Sequence, residues 1–435
     1  MTSARTNTRA GAATIKKNNP RDLRLVTVGQ GISMVGTAIS DLAIPLMAVD
    51  LLGANSFGTG LLGAATTVGY LVFGLQAGVW IDRLPRRQFL LAADAVRALL
   101  ILAIPLLYAL NVLTLPLLIA LQIGIGSASI FFNLAWPAYL PRLATGDVLL
   151  KLNARLALLG EISGFLGPGI AGALIGIVKA PFALVADAFT FVVSYISLAA
   201  IKTPEPPRAA HSGLTVTQEL RDGLRAVWQR PTLRLITLEA INGNIAFSIM
   251  IGQSVIYQRL DLGFEPALIG AVASIGFLGG AIGSILAPRA VKRIGFGRLL
   301  FWDAVLFGCV EFLLPLAGIA PRAFAFPLVA LNYFIGGFLL LLYVVPANAF
   351  RQQVVPDRLL GRVMAVNRVA TWGFGATLGF FAGGVIAEAT SRPVALLVSA
   401  TLQTVVPLLM FGLGSLRSIK SIEEAVALDN RKHAR

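Results

Sequence analysis

Cysteine is almost missing from this 435-residue chain. Cys309 stands alone, so no internal disulfide and no cysteine-built zinc or iron–sulfur site can form. Histidine is nearly as scarce: His211 and His433 lie in separate polar stretches and make no pair at metal-ligand spacing. Charge is thin as well. Only 13% of residues are charged, against about 25% in an ordinary soluble domain. No P-loop pattern occurs, which argues against direct use of ATP. The polar segments hold no nucleophile–base constellation and no metal cluster. Neither an enzyme nor a bound cofactor or metal is therefore expected.

What the chain has is apolar length. Hydrophobic residues make up 56% of it, and its mean hydropathy is +0.79. A membrane-spanning helix needs about 20 apolar residues, so twelve would use roughly 240. Apolar runs bounded by charge or by Gly/Pro punctuation fall at 25–49, 58–81, 88–110, 114–136, 155–178 and 181–201. After a polar stretch from Lys202 to Arg230, six more fall at 232–257, 267–288, 298–318, 324–347, 366–388 and 393–416. The polar and basic segment 1–22 runs into the first apolar stretch without a small-residue cleavage site. It is therefore read as leading into a first span and not as a removed signal peptide. The central stretch carries Pro204, Pro206 and Pro207, then an amphipathic run from Leu214 to Gln229. It reads as a linker with a surface helix.

The net charge of +15 would point to nucleic acid in a soluble protein. Here it marks one side of a membrane instead, and no nucleic-acid partner is expected. With the N-terminus taken as cytoplasmic, all but four of the 36 Lys and Arg residues fall on the cytoplasmic side. The four are Lys179, Arg259, Arg322 and Arg392. That is the positive-inside pattern with both termini inside, and an odd number of spans would scramble it.

The two halves also repeat at an offset of about 210 residues. Leu23-Arg24-Leu25-Val26-Thr27-Val28 parallels Leu233-Arg234-Leu235-Ile236-Thr237-Leu238. Gly63-Ala64, Gly69, Tyr70 and Leu71 parallel Gly270-Ala271, Gly276, Phe277 and Leu278. Asp94-Ala95-Val96 parallels Asp303-Ala304-Val305, and Ala171-Gly172 parallels Ala382-Gly383. The expected fold is an all-α membrane protein of twelve transmembrane helices in two pseudo-symmetric six-helix bundles. The expected organisation is a tail at 1–22, a bundle at 23–201, a linker with its amphipathic helix at 202–230, a second bundle at 231–416 and a tail at 417–435.

The end of the second run reads Gly78-Val79-Trp80-Ile81-Asp82-Arg83-Leu84-Pro85-Arg86-Arg87. It resembles the signature loop of the major facilitator superfamily, G-x-x-x-D-R-x-G-R-R, with Pro85 in place of the usual glycine. Read physically, Gly78 permits close helix contact, Asp82 suits the positive N-terminal end of span eleven, and Arg86 and Arg87 pair with acids or lipid phosphates. A plain basic anchor loop would use the same residues. The resemblance implies a cytoplasmic gate made of Gly78, Asp82, Arg83, Arg86 and Arg87, joined by Asp94 and Arg97, which form an i,i+3 pair. The fifth run carries Gly160, Gly164, Gly167, Pro168 and Gly172, similar to the glycine-proline motif of the superfamily's antiporters. Ordinary small-residue packing would look alike. Gln30 to Pro45, Pro137 to Gly172, Phe182 to Ser194 and Pro356 to Gly384 resemble the macrolide-efflux and enterobactin-exporter branch. The span-four arginine of many proton-coupled exporters is absent: 115–136 offers only Gln122, Ser127, Ser129 and Asn133.

A charge inside a span costs roughly 2.5–3.5 kcal/mol on insertion scales, so it faces a cavity or a partner. Seven acids qualify: Asp41, Asp94, Glu161, Asp187, Glu239, Asp303 and Glu311. Asp41 leads as a proton-coupling candidate, followed by Glu161, Glu239 and Glu311; each could equally be a structural hydrogen-bond partner. Glu161 and Glu239 are placed about two turns from the cytoplasmic face, Asp94 and Asp303 read as structural gate residues, and Asp187 lies near the outer start of span six. Gln30, Ser33, Asn133, Trp136, Asn242, Asn244, Gln253, Asn332, Tyr343 and Trp372 are candidates to line a substrate cavity, with helix packing as their alternative. Trp80 suits an interfacial belt, and Trp228 suits insertion at the membrane surface.

These readings imply a secondary active transporter in a bacterial inner membrane. It would export small amphipathic compounds (a drug, antibiotic or siderophore) by alternating access, coupled to protons. An importer, a facilitated carrier or a lipid transporter on the same fold is the alternative.

Overall fold

The computed structural model describes residues 18–74, 85–205, 216–412 and 415–433. Twelve helices in it are long and apolar enough to cross a membrane, and no strand occurs among the described residues. Numbered one to twelve, the spans are Pro20–Asp50, Ser56–Phe73, Arg86–Ala109, Leu115–Leu143, Gly146–Val178, Ala180–Ala199, Pro231–Asp261, Pro266–Ile294, Phe296–Ile319, Arg322–Val354, Leu359–Ala389 and Arg392–Gly412. Two shorter helices, Val216–Trp228 and Ile422–His433, lie outside the spans. An even number of crossings puts the two ends of the chain and the linker helix on one face, here the terminal face. The opposite side is the far face.

Several spans run further than their apolar cores. Span five begins at Gly146, not near residue 155, because Lys151 and Arg155 sit exposed on the helix and do not end it. Glu161 is therefore about four turns from the helix start, at 3.6 residues per turn. Span ten continues past its apolar run to Val354, carrying Arg351 in its last turn. Span nine breaks between Glu311 and Leu313. Spans seven and eleven contain π-helical stretches at Tyr257–Asp261 and Val369–Ala376.

Within the first half, span one packs on five and six, and span three on four and six. Within the second, span eight packs on ten, nine on twelve, and seven on eleven and twelve. The halves meet where span five lies along span eight and span two along span eleven. Toward the far face they share one apolar core: Met47, Leu118, Ile175 and Leu184 join Tyr257, Ile269, Leu314 and Val329. Toward the terminal face each half keeps its own. Leu90, Tyr139, Leu152 and Leu198 form one, and Phe296, Phe301, Phe350 and Phe411 the other. The halves thus share one apolar core at the far face and keep separate ones toward the terminal face, where spans two and eleven still touch at Gly74 and Val369.

Backbone contact makes the junction tight. A Cβ on Gly270 would lie 2.2 Å from the Pro168 carbonyl oxygen, and one on Gly172 would lie 2.5 Å from that of Pro266. Hydrogen bonds between the halves add to it. Gln253 Nε2 donates to the Ser56 carbonyl (3.1 Å), Gly169 N–H to Ser274 Oγ (3.1 Å), and Arg259 Nε to Asp50 (2.9 Å).

On the terminal face three acids each hold two consecutive backbone amides. Glu205 accepts from Arg86 and Arg87 at the start of span three (3.1 and 3.4 Å). Asp429 accepts from Thr232 and Leu233 at the start of span seven (both 3.0 Å). Asp22 accepts from Lys202 and Thr203 after span six (3.3 and 2.9 Å). The first two place a negative charge at a helix N-terminus, where unsatisfied amides and the helix dipole favour it.

Candidate functional site

The candidate site is a two-chambered cavity in the second half. The chamber nearer the terminal face holds about 380 Å³. Span seven contributes Glu239, span nine Asp303, span ten Tyr343 and Arg351, span eleven Asn367, and span twelve Gln403. Glu239 and Asp303 are each only 3% exposed. Gln403 Nε2 reaches Glu239 Oε1 at a long 3.5 Å, and Tyr343 lies beside the same carboxylate. Arg351 gives one guanidinium N–H to Asn348 Oδ1 at 2.9 Å. Asp303 Oδ1 is buried without a hydrogen-bond partner. Two carboxylates against one guanidinium leave this chamber short of positive charge.

The second chamber, about 340 Å³, is apolar, with Phe247, Met250, Phe277 and Phe307 in its wall. Phe247, Phe307, Leu340 and Leu341 line both chambers, which adjoin across them. Its polar groups sit at the break in span nine. Asn332 Nδ2 donates to the Val310 carbonyl (2.9 Å), and Ser399 Oγ lies 2.7 Å from both the Ala246 carbonyl and Glu311 Oε2. A hydroxyl has one hydrogen. Both Ser399 contacts are satisfied together only when Glu311 carries a proton and donates it. Glu161 lines this chamber from span five, across the junction of the halves.

The first half carries the repeat counterpart of Asp303 in a different setting. Asp94 pairs with Arg97 and also accepts from Ser194 Oγ at 2.7 Å. Gln30 Nε2 donates to the same serine at 3.1 Å. The Arg97 guanidinium sits 4.3 Å from the ring centres of both Phe132 and Phe191. Every charge in this cluster has a partner. Nearby, Asp187 accepts from Ser40 and from Thr190 (3.0 Å), deep in the half and away from any helix end.

The structure brings some sequence candidates together and separates others. Glu239, Asn244, Tyr343 and Trp372 line the first chamber, and Glu161, Glu311 and Asn332 line the second. Asp41 is exposed on span one and lines neither chamber. Gln30 and Ser33 are buried inside the first half, and Gln253 is spent on Ser56. Asn242 reaches the Leu402 carbonyl at 3.4 Å, Asn133 is exposed, and Trp136 stacks on Phe132. Gly78, Asp82 and Arg83, with Trp80, lie outside the described residues. Arg87 donates to the carbonyls of Leu198 (3.0 Å) and Ala199 (2.6 Å), tying span three to the end of span six. Of the span-five glycines, Gly164 faces Phe277, Gly167 faces Ala38 and Gly172 faces Pro266, while Gly160 has only Met34 at 4.0 Å. Arg351 lies beyond its apolar run and Gln403 in the middle of one, so neither stands out in the sequence, and each joins the acids only through the fold.

Residues 26–380 match the family model described as Major Facilitator Superfamily. The chain is 26% identical over 365 residues to the multidrug efflux pump Tap of Mycolicibacterium fortuitum, covering 81% of this chain and 86% of that one. It is 23% identical over 369 residues to macrolide efflux protein A of Streptococcus pyogenes, covering 81% and 87%. Among solved structures, a bacterial homologue of the iron transporter ferroportin in its inward-facing state superposes with a TM-score of 0.70. That match is at 16% identity and covers 91% of this chain and all of the other.

Proposed function

This chain belongs to the major facilitator superfamily, and from that premise we propose that it exports small amphipathic compounds in exchange for protons, with both termini in the cytoplasm of a bacterial cell. The observation that carries the reading is the cavity. One chamber is acidic and polar, the adjoining one is aromatic and apolar, and Glu161 of the first half reaches into the second. Such a cavity suits a molecule with an apolar body and a neutral or cationic polar end. Relatives named for multidrug and macrolide efflux agree with it.

In this reading the coupling carboxylates are Glu239, already a candidate from the sequence, and Asp303 beside it in the same chamber. Protonation neutralises the chamber and releases the compound, and loss of the proton to the cytoplasm restores its affinity. Glu161 and Glu311 take part from the apolar chamber. Asp41 remains a coupling candidate from the first half.

The test uses everted vesicles holding a pH gradient reported by a quenched dye, challenged with a panel of antibiotics, cationic dyes and siderophores. Dequenching that needs the compound and disappears in Glu239→Gln supports the proposal. Dequenching that survives Glu239→Gln and Asp303→Asn but is lost in Asp41→Asn moves the coupling to the first half. Compound movement with no dequenching at all replaces proton exchange with a facilitated carrier or a lipid transporter.

A further inference from the structure

The linker helix Val216–Trp228 lies against the start of span eleven through a glycine: a Cβ on Gly223 would be 2.8 Å from the Arg362 carbonyl oxygen. Ala226 and Val227 are buried on that side. The opposite side presents Arg221, Leu224, Arg225 and Trp228, at the i, i+3, i+4, i+7 spacing of one helix face. All four are exposed, Leu224 at 49% and Trp228 at 56%. Beside this face is a polar recess of about 490 Å³, lined by Asp222, Arg225, Gln229, Arg230, Leu359 and Arg362.

The cations in the recess are only partly matched. Arg362 pairs with Asp222 at 2.8 Å, with both side chains partly exposed. Arg230 is 2% exposed; it gives one N–H to the Ala226 carbonyl (2.9 Å), and its Nε has no hydrogen-bond partner. Asp429 is the other acid near Arg230, and it is occupied by the Thr232 and Leu233 amides. Among the described side chains, three arginines and one aspartate line the recess, with Asp429 the second acid near Arg230.

We propose that this recess binds the phosphate of an anionic membrane lipid, with Leu224 and Trp228 set into the bilayer interface beside it. Guanidinium groups match phosphate oxygens in charge and in planar geometry. A helix with a basic stripe beside exposed Trp and Leu is built to lie in the interfacial plane, and basic recesses at the cytoplasmic ends of spans receive lipid headgroups. The exposed apolar pair selects lipid over a free anion, since inorganic phosphate would leave both side chains in water. This site is separate from the transport cavity and does not depend on what is carried there.

The experiment follows thermal unfolding of the full-length protein in detergent, titrated in parallel with short-chain phosphatidylglycerol, phosphatidylcholine of the same chain length, and inorganic phosphate. Native mass spectrometry counts the lipid retained. Phosphatidylglycerol is expected to raise the midpoint and stay bound. Arg225→Gln and Arg362→Gln should each weaken its apparent affinity about fivefold, the loss of one cation near a lipid phosphate. Arg155→Gln, an exposed arginine on span five, should leave it unchanged. Three results would overturn the proposal: equal shifts with both lipids, the same loss in Arg155→Gln as in Arg225→Gln, or a shift with inorganic phosphate matching that of phosphatidylglycerol.

Discussion

Asp94 and Asp303 occupy the same place in the two halves of the repeat, and the two halves treat them differently. Asp94 has Arg97 one helical turn on, Ser194 from span six, and two aromatic rings holding the guanidinium in place. The residue one turn beyond Asp303 is Leu306, which is 48% exposed and turned away. The positive charge of the second half comes instead from Arg351 on span ten, across a cavity. One half closed its cluster with a local ion pair, while the other left space and an unpartnered carboxylate oxygen. Repetition in the sequence does not make the halves equal. The first half reads as a clamp and the second as a binding chamber.

The strongest way to break this contrast is to give the first half the second half's residue. Arg97→Leu leaves Asp94 buried with a serine for its only close partner. Removing one member of a buried pair costs about 3–5 kcal/mol, so the variant should unfold at a much lower temperature in detergent. The double variant Asp94→Asn/Arg97→Leu should recover most of the loss, because no charge is then stranded. If the single and double variants melt alike, the cluster is not held by its ion pair.

A smaller effect is expected where the halves touch. Gly270→Val places a side chain against the Pro168 carbonyl, whose oxygen lies 2.2 Å from the nearest position a Cβ could take. Overpacking of this kind costs about 1–3 kcal/mol. The loss should fall on the far-face junction, so cysteine crosslinks placed between spans five and eight near that face should form more slowly. Unchanged crosslinking would show that the two backbones can part without disturbing the fold.

Much of this architecture is legible in the residues themselves. Twelve apolar runs, the one-sided distribution of Lys and Arg and the repeat lead to the fold, because bilayer thickness and backbone hydrogen bonding leave a spanning chain few options. The pairing of Asp94 with Arg97 is readable too, since one helical turn joins them. The chamber around Asp303 is not, because Glu239, Arg351 and Gln403 come to it from three other spans. Nor are the clamps at Asp22, Glu205 and Asp429, each of which holds amides more than about a hundred residues away in the chain. The start of span five is not legible either, because Lys151 and Arg155 resemble the end of an apolar run, whereas the helix continues past them to Gly146.

The sharpest comparison is the one with the least expected effect on the fold. Asp303→Asn removes a carboxylate whose Oδ1 accepts no hydrogen bond and which shares its chamber with a second acid. A buried charge without a full set of partners is a burden on stability, and an amide relieves it. The melting temperature should therefore hold or rise, with a stability change within about 1 kcal/mol. Asp94→Asn, the same substitution at the repeat-related position, should lower it, because Arg97 then loses its counter-charge between two aromatic rings. Transport should respond in the opposite order. Asp303→Asn should keep its fold and lose proton-coupled export, measured as compound-dependent dequenching per folded molecule. Equal destabilisation by the two variants would erase the contrast between clamp and chamber, and undiminished export in a well-folded Asp303→Asn would leave Glu239 as the only acid of that chamber able to couple.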